Sequence, residues 1–479
     1  MFKYTVLNNM LIPVIRGAKG GGGSSHTPVE AKESGRSHQI MEFVEVISEG
    51  EIYGLVDDMK SVYLDKTPIV NPDGTFNFKN IILKGVVGTQ DQDVLAGFSS
   101  AQREVAVGTE VKKDKPITRR ITDKNITNLR VTVGVKSLLQ QADNGDTNPT
   151  SVDLQIRVGD RVYSHNFTGK YSAGGYAEMI EIDNLPPVPF NLTVERVTPD
   201  STSQRLQNAT VWASYTEIID DGYAYPNTAL MAMSIDSEYF QSKPQRNFLI
   251  RGLIVDVPDI YDPIRRTYSS NFWNGAFKRA WTNNPVWIWY DLVTNKRYGL
   301  GKSLAEFNVD KFQLFAIAKY CDELVPDGYG GTEPRMTCNA WITEQKQAYE
   351  LIQSLSSVFR AMPIWTGQAL TAVQDRVADP VWKYTNANVV EGLFTYSSSA
   401  RKARHNTIQV ERVNPDDFYN SAIEQVVDDE SVRKYGQNIS KVTAFGCTSR
   451  GQAYRTGRWI LETERLETET VSFTVGAEG

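Results

Sequence analysis

The sequence predicts a β-rich α+β protein, and three observations carry that reading. Apolar and polar residues alternate over many short runs between residues 41 and 255. The i, i+3, i+4, i+7 spacing of amphipathic helices occurs only afterwards, and clusters of Pro, Asp, Asn and Gly separate the runs. With 479 residues the chain is long enough for about three domains. Its 41% hydrophobic, 23% charged and 10% aromatic content is that of a folded globular chain with a sizeable core. A net charge of -6 gives no global basic field for nucleic acid.

Residues 1–40 read as a flexible arm. Its segment GAKGGGGSSHTPVEAKESGRSHQI is rich in Gly, Ser and small charged residues and has no apolar period. Lys3, Arg16, Lys19, Lys32 and Arg36 outnumber Glu30 and Glu33, so the arm suits an acidic partner as well as a simple tether. MFKYTVLNNMLIPVIR is broken by Asn8, Asn9 and Pro13, and no small-x-small site follows, so it is not read as a secretory signal. No run approaches the roughly 18 apolar residues that cross a bilayer.

Residues 41–255 are predicted to be one sheet-built unit, closed as a barrel or a sandwich, with insertions at about 136–185. VYLDKTPIVNPDGTFNF turns at Pro72-Asp73-Gly74, where Gly tolerates positive φ. NLRVTVGV sets Leu129, Val131, Val133 and Val135 on one face, and DLQIRVGDRVYSHNF, FNLTVERV and ATVWASYTEII continue the series. QQADNGDTNPTS and TGKYSAGGYAE are loops. Residues 256–305 form an aromatic-rich linker and helix, in which Asn284 caps and Pro285 takes the first helical position. Residues 306–395 are predicted as a small α-β-α-β-β domain: a helix from Asn308 to about Leu324, another from Glu344 to about Ala361, then a hairpin turned at Thr366-Gly367-Gln368. Residues 396–479 are a second β-rich domain with a helix over 449–465. There Ser449 caps, Gln452 is placed to complete a capping box, and small Ala453 and Gly457 would admit another backbone.

No stretch carries a catalytic constellation. VPDGYGGTEPRMTCNAWIT holds three glycines, two acids and a cysteine, yet its glycines open into an alternating strand pattern, whereas a phosphate site opens into a helix N-terminus. It reads as a turn. KRYGLGKS ends like a P-loop, but Lys296 stands where the earlier glycine belongs and a helix precedes it. DNGDTN lacks the EF-hand spacing. Asp220-Asp221 and Asp428-Asp429-Glu430 are acids in polar runs, and a glycosidase pair cannot be argued from them. Four histidines and the separated Cys321, Cys338 and Cys447 form no metal or disulfide pattern, and no cofactor motif is present. The cluster from Lys112 to Lys124 mixes signs and reads as a solvated strand face. Trp273, Trp281, Trp287 and Trp289 crowd together, as a packed domain junction or an intersubunit anchor would require.

With sheet edges, an arm and dense aromatics but no catalytic set, assembly is the leading class. Long ordered stretches then carry a resemblance: GGGGSSHTPVEAKES, ISEGEIYGLVDDMKSVYLDKTPI, LPPVPFNLTVERVTPDSTSQRLQNATVWASYTEIID, NFWNGAFKRAWTNNPVW, YCDELVPDGYGGTEPRMTCNA and AFGCTSRGQAYRTGRWIL. From about Gly20 the chain resembles the N-terminal part of the host specificity protein J (tail tip attachment protein J) family of lambda-like siphophages. The resemblance implies tube-like β-barrel domains with small α/β domains in a homotrimeric tail hub. It implies contacts with other tail tip proteins, the tail tube and the C-terminal end of the tape measure protein, with DNA only as transiting cargo. It implies a virion protein at the distal tail tip, assembled in the host cytoplasm and meeting the outer membrane on infection. Receptor binding is expected of residues beyond Gly479, so the chain reads as the hub portion of a longer polypeptide. Gly20, Gly21, Gly22, Gly23 and His26 of the arm and Trp273, Trp281, Trp287 and Trp289 are the expected subunit contacts. A non-enzymatic structural role is expected; the rivals are a tail-associated peptidoglycan hydrolase and a receptor-binding adhesin.

Overall fold

The computed structural model describes residues 28–33, 40–95, 98, 100–172, 174–220, 222–236, 240, 242–304, 308–344, 347–366, 369–380, 382–400 and 404–476. The fold is α+β and rich in strand, as the alternation predicts. The chain divides into two compact units, residues 1–250 and 251–479.

The centre of the first unit is a sandwich of two antiparallel four-stranded sheets. One sheet has the order Arg161–Gly169, Thr150–Val158, Phe190–Arg196, Ile117–Ile121; the other has Tyr176–Ile182, Asn128–Val135, Thr210–Asp220, Ser100–Val111. Period-two alternation explains the packing. Val152, Leu154, Ile156 and Val158 from one sheet share a core with Leu129, Val131, Val133 and Trp212 from the other. A bulge between Trp212 and Ser214 shifts the pairing with both neighbouring strands, and Trp212 Nε1 donates to Ser214 O at 2.9 Å. Residues 136–185 are therefore not insertions. They supply Thr150–Val158, an inner strand of the sandwich, and two further strands, because their alternation is as regular as that of their neighbours.

A separate three-stranded sheet pairs Ile40–Glu49 and Ile82–Val87 with the central Thr228–Asp236. Its core includes Val62, Leu64, Ile69, Leu83, Met233 and Ile235. The Pro72-Asp73-Gly74 turn forms as expected: Gly74 takes φ +87° and Thr75 N donates to Asp73 Oδ1. Among the described residues no sheet closes into a barrel; each strand order ends in two edge strands.

Among the described residues the second unit holds five α-helices. Asn284 caps α1 (Pro285–Thr294) by accepting from Val286 N at 3.0 Å. Helix α2 (Lys311–Asp322) starts later than predicted, at the cap Asp310, because Asn308–Val309 pairs in parallel with Ala369–Gln374. Helix α3 (Ala348–Val358) leads into the hairpin Ala361–Trp365 and Ala369–Gln374, whose tip residues Gly367 and Gln368 lie outside the described residues. These elements close over a core containing Val286, Leu314, Ile317, Cys321, Ile352, Leu355 and Phe359. A second, smaller core joins the sheet Asn420–Val427, Thr407–Asn414, Ile439–Thr443 to α5 (Arg450–Leu466), while α4 (Asp429–Tyr435) follows Val427. Among the described residues no helix is long and apolar enough to cross a membrane.

Candidate assembly surfaces

The aromatic group predicted from sequence is placed first of all in the interior. Trp273, Trp287 and Trp289 are buried in the core of the second unit. The Trp273 ring lies 5.0 Å from Phe277, 5.9 Å from Trp287 and 5.3 Å from Phe315, and its Nε1 donates to Ala276 O. Lys311 lies over the Trp273 and Phe277 rings, anchored to Gly275 O at 2.9 Å. Indoles in such a stack contribute through apolar area and edge-to-face geometry. Trp281 differs: it sits half-buried at the end of the Phe277–Trp281 strand, with the Arg251 guanidinium over its ring. Of the four, Trp281 alone keeps substantial surface. Gly20, Gly21, Gly22, Gly23 and His26 lie outside the described residues.

Beside that stack is a polar cluster that the sequence did not signal. Asp322, at the end of α2, meets Arg266 Nη2 at 2.6 Å, Tyr268 Oη at 2.8 Å and Tyr261 Oη at 3.3 Å. Arg266 also donates to Met336 O and to Asn283 Oδ1. Burial pushes the Asp322 carboxyl up, while Arg266 and the hydroxyls pull it back. Asp322 engages Arg266 and both tyrosines, which makes the cluster a structural pin.

The glycine loops resolve as joints. Pro326 and Thr332 end a short hairpin of Leu324–Pro326 with Thr332–Pro334, turned by Gly328 at φ +84° and Gly330 at φ +98°. Asp327 Oδ1 accepts from Tyr329 N and Gly331 N, which holds its carboxyl below the usual range. A Cβ on Gly451 would fall 2.5 Å from Asp327 O, so the turn docks on the start of α5. The following RMTCNAWIT forms no ladder. Its backbone bonds are shared among Glu323, Cys321, Asn283, Gly446 and the Gln452 side chain, and these do not belong to one strand.

In KRYGLGKS the glycines serve the C-terminus of α1. Leu300 N donates to Leu292 O and Gly301 N to Asn295 O, and a Cβ on Gly299 or Gly301 would lie about 2 Å from a carbonyl oxygen of that helix end. A loop facing carbonyls repels phosphate. Asp428, Asp429 and Glu430 begin α4, with Asp428 accepting from Ser431 N, an ordinary capping use. Asp220's side chain and Asp221 lie outside the described residues. All three cysteines are free and buried, and burial raises the Cys338 thiol to about 12 and Cys447 to about 11.

At α5, Ser449 caps as predicted, but Gln452 makes no reciprocal contact. Its side chain instead accepts from Thr337 N at 2.9 Å and donates to Thr337 O at 3.0 Å. Gly457 admits Val426 and Val410 of the chain's own sheet, which a Cβ would meet at 2.7 and 3.0 Å.

Among the described residues two open features bear on assembly. Ile40–Glu49 is a ten-residue edge strand with Val44 and Val46 turned to water. The ribbon of Thr395–Ser398 with Glu469–Ser472 is exposed on both faces, flanked by exposed Trp382, Tyr384, Leu393 and Phe473. Long edges and uncovered apolar ribbons are what natural monomers suppress.

Comparison with known proteins gives these surfaces a setting. Residues 101–221, the sandwich, match the family model described as the FNIII-A domain of tip attachment protein J, and residues 347–479 match one described as a putative phage tail protein. The tip attachment protein J of Escherichia phage SECphi27 is 36% identical over 475 residues, covering 97% of this chain and 39% of that protein. That of Escherichia phage SECphi4 is 37% identical over 476 residues, covering 97% and 42%. The chain thus spans about two-fifths of the length of these relatives. A solved structure of infectious bursal disease virus, Gx strain, overlaps 56% of this chain and 90% of its own at 8% identity, but a TM-score of 0.15 carries no argument.

A sandwich matching a tail tip model and a C-terminal third matching a tail model define a phage tail protein. At 36–37% identity along 97% of its length, the chain is similar to the tip attachment protein J of these two phages.

Proposed function

We propose that the chain forms the central hub of a siphophage tail tip, as a homotrimer that continues and closes the tail tube. In this reading it holds the C-terminal end of the tape measure protein, contacts other tail tip proteins, and opens for DNA ejection once a receptor is engaged. Receptor binding belongs to parts outside residues 1–479. The observation that carries it is the match to tip attachment proteins over 97% of the chain. The open edges support it physically. Three copies set side by side satisfy one another's edge N–H and C=O groups, and a tube-like wall that no single chain closes is completed by its sisters. The Gly20 to Gly23 segment, His26 and Trp281 are the subunit contacts in this scheme. Trp273, Trp287 and Trp289 act on it from the interior, by holding the unit that presents Trp281.

Reconstruction of isolated tail tips tests the proposal. Three copies around the tail axis, with Ile40–Glu49 joined to a neighbouring chain, are expected. One folded copy with that edge in water overturns it. Trp281→Ala is expected to weaken trimerisation of the purified chain, read as loss of the species at three times 53.7 kDa. Clearing of cell-wall substrate in a zymogram would instead favour a hydrolase, and competition with phage adsorption by residues 1–479 would favour an adhesin.

A further inference from the structure

Residues 28–33 lie along the Thr147–Asn148 edge of a small three-stranded sheet as an added segment. Ala31 N donates to Thr147 O and Thr147 N to Val29 O, both at 3.0 Å, and Glu30 pairs with Thr147 in parallel register. Val29 N donates to Asp146 Oδ1 at 2.6 Å. The rest of the attachment is ionic. Lys170 Nζ donates to Glu30 Oε1 at 2.6 Å and to Ala31 O at 2.8 Å, and lies 3.2 Å from Glu33 Oε1. Ser172 N donates to Glu33 Oε2 at 3.1 Å, and the Ser172 hydroxyl donates to Glu33 Oε1.

Burial is distributed unevenly between the two sides. The Lys170 side chain is 1% exposed, whereas those of Glu30 and Glu33 are 70% and 46% exposed. A lysine is almost never covered to that degree unless paired. Two carboxylates that compensate it, Glu30 and Glu33, come from residues 28–33. Those residues bury little apolar surface, since Pro28 and Val29 are exposed. Charge and a few backbone bonds hold the segment down.

We propose that Lys170, Ser172 and the Thr147 edge form a binding site for an extended acidic segment of pattern Glu-x-x-Glu, filled in this chain by its own residues 28–33. The occupant is a salt-sensitive strap: it covers a sheet edge and can leave it with the sandwich intact. Once it leaves, Lys170 gains water in place of its carboxylates, and the Thr147 N–H and C=O become free for another strand.

The test uses the full chain with Glu30→Gln and Glu33→Gln together, changes confined to exposed strap side chains. Hydrogen exchange at Ala31 and Thr147 is expected to quicken at least tenfold, and acylation of Lys170 by an amine reagent to rise similarly. Exchange in the Thr150–Val158 strand is expected to stay unchanged. A synthetic peptide of residues 27–34 is expected to bind this variant, more weakly as salt rises, and not the unaltered chain, whose site is already filled. Unchanged protection of Ala31 in the variant overturns the proposal. So does equal peptide binding when Lys170→Gln is added to it.

Discussion

The sandwich of the first unit and the ribbon of the second are written in the same strand alphabet and end in opposite environments. In Thr150–Val158 every second residue, from Val152 to Val158, is fully covered by the facing sheet. In Thr395–Ser398 and Glu469–Ser472 every residue is exposed, and the apolar support is confined to contacts such as Tyr384 with Phe473 at 4.7 Å and Phe394 with Phe473 at 5.2 Å. Two-stranded ribbons are marginal by themselves in water. Local alternation specifies a strand; the segment that returns to cover its face decides whether the strand stabilises the chain or is left for a partner.

The sharpest way to break that contrast is to empty the sandwich. Trp212→Ala removes a fully buried indole from between the sheets and is expected to cost about 3–5 kcal/mol, read as a lower urea midpoint by circular dichroism. A loss below about 1 kcal/mol would mean that the sheets collapse onto the gap and that the core is not close-packed. Asp322→Ala comes next. It leaves the Arg266 guanidinium, 9% exposed, without its carboxylate, and about 3 kcal/mol or slightly more is expected. Asp322→Asn should recover part of this, since the carboxamide oxygen keeps an acceptor for one of the two tyrosine hydroxyls, which donate to different oxygens of Asp322. Gly457→Ala is smaller, about 1–3 kcal/mol, because the added methyl meets Val426 and Val410. An α5 that shifts without loss of stability would show that the smaller core has slack.

How far the sequence shows all this depends on the range of the interaction. Strand 128–135 and the caps Asn284 and Ser449 were legible because alternation and capping act within a few residues, and Leu129, Val131, Val133 and Val135 are all buried. The choice between barrel and sandwich was not, since sheet closure depends on which strands meet across long separations. RMTCNAWIT shows the limit of pattern: Met336 and Cys338 alternate into the core, yet the backbone finds partners in several segments and builds no ladder. Gln452 reads as a local cap partner because that site is three residues away, while its real partner Thr337 is more than a hundred residues distant. Lys170, Glu30 and Glu33 carried no signal for the same reason. Trp273, Trp287 and Trp289 announced a dense aromatic cluster, but whether it faces inward depends on α1, α2 and the 261–281 segment converging. Tyr396 of the ribbon and the adjoining Leu393 are plain in the sequence as large side chains; their exposure is not.

The smallest effect on the lone chain is the most informative about the ribbon. Tyr396 and Val471 stand directly opposite each other across it, and both are exposed. Removing them with Tyr396→Ala and Val471→Ala deletes one cross-strand pair and no core, so less than about 1 kcal/mol is expected in isolation. If the ribbon is a face finished by neighbours, the same double change should lower incorporation of the chain into tail tips far more than so small a stability loss explains. Unaltered incorporation would leave the ribbon as a solvated extension. A stability loss as large as that of Gly457→Ala would show instead that its faces are already supported within one chain, and the contrast with the sandwich would then be one of degree.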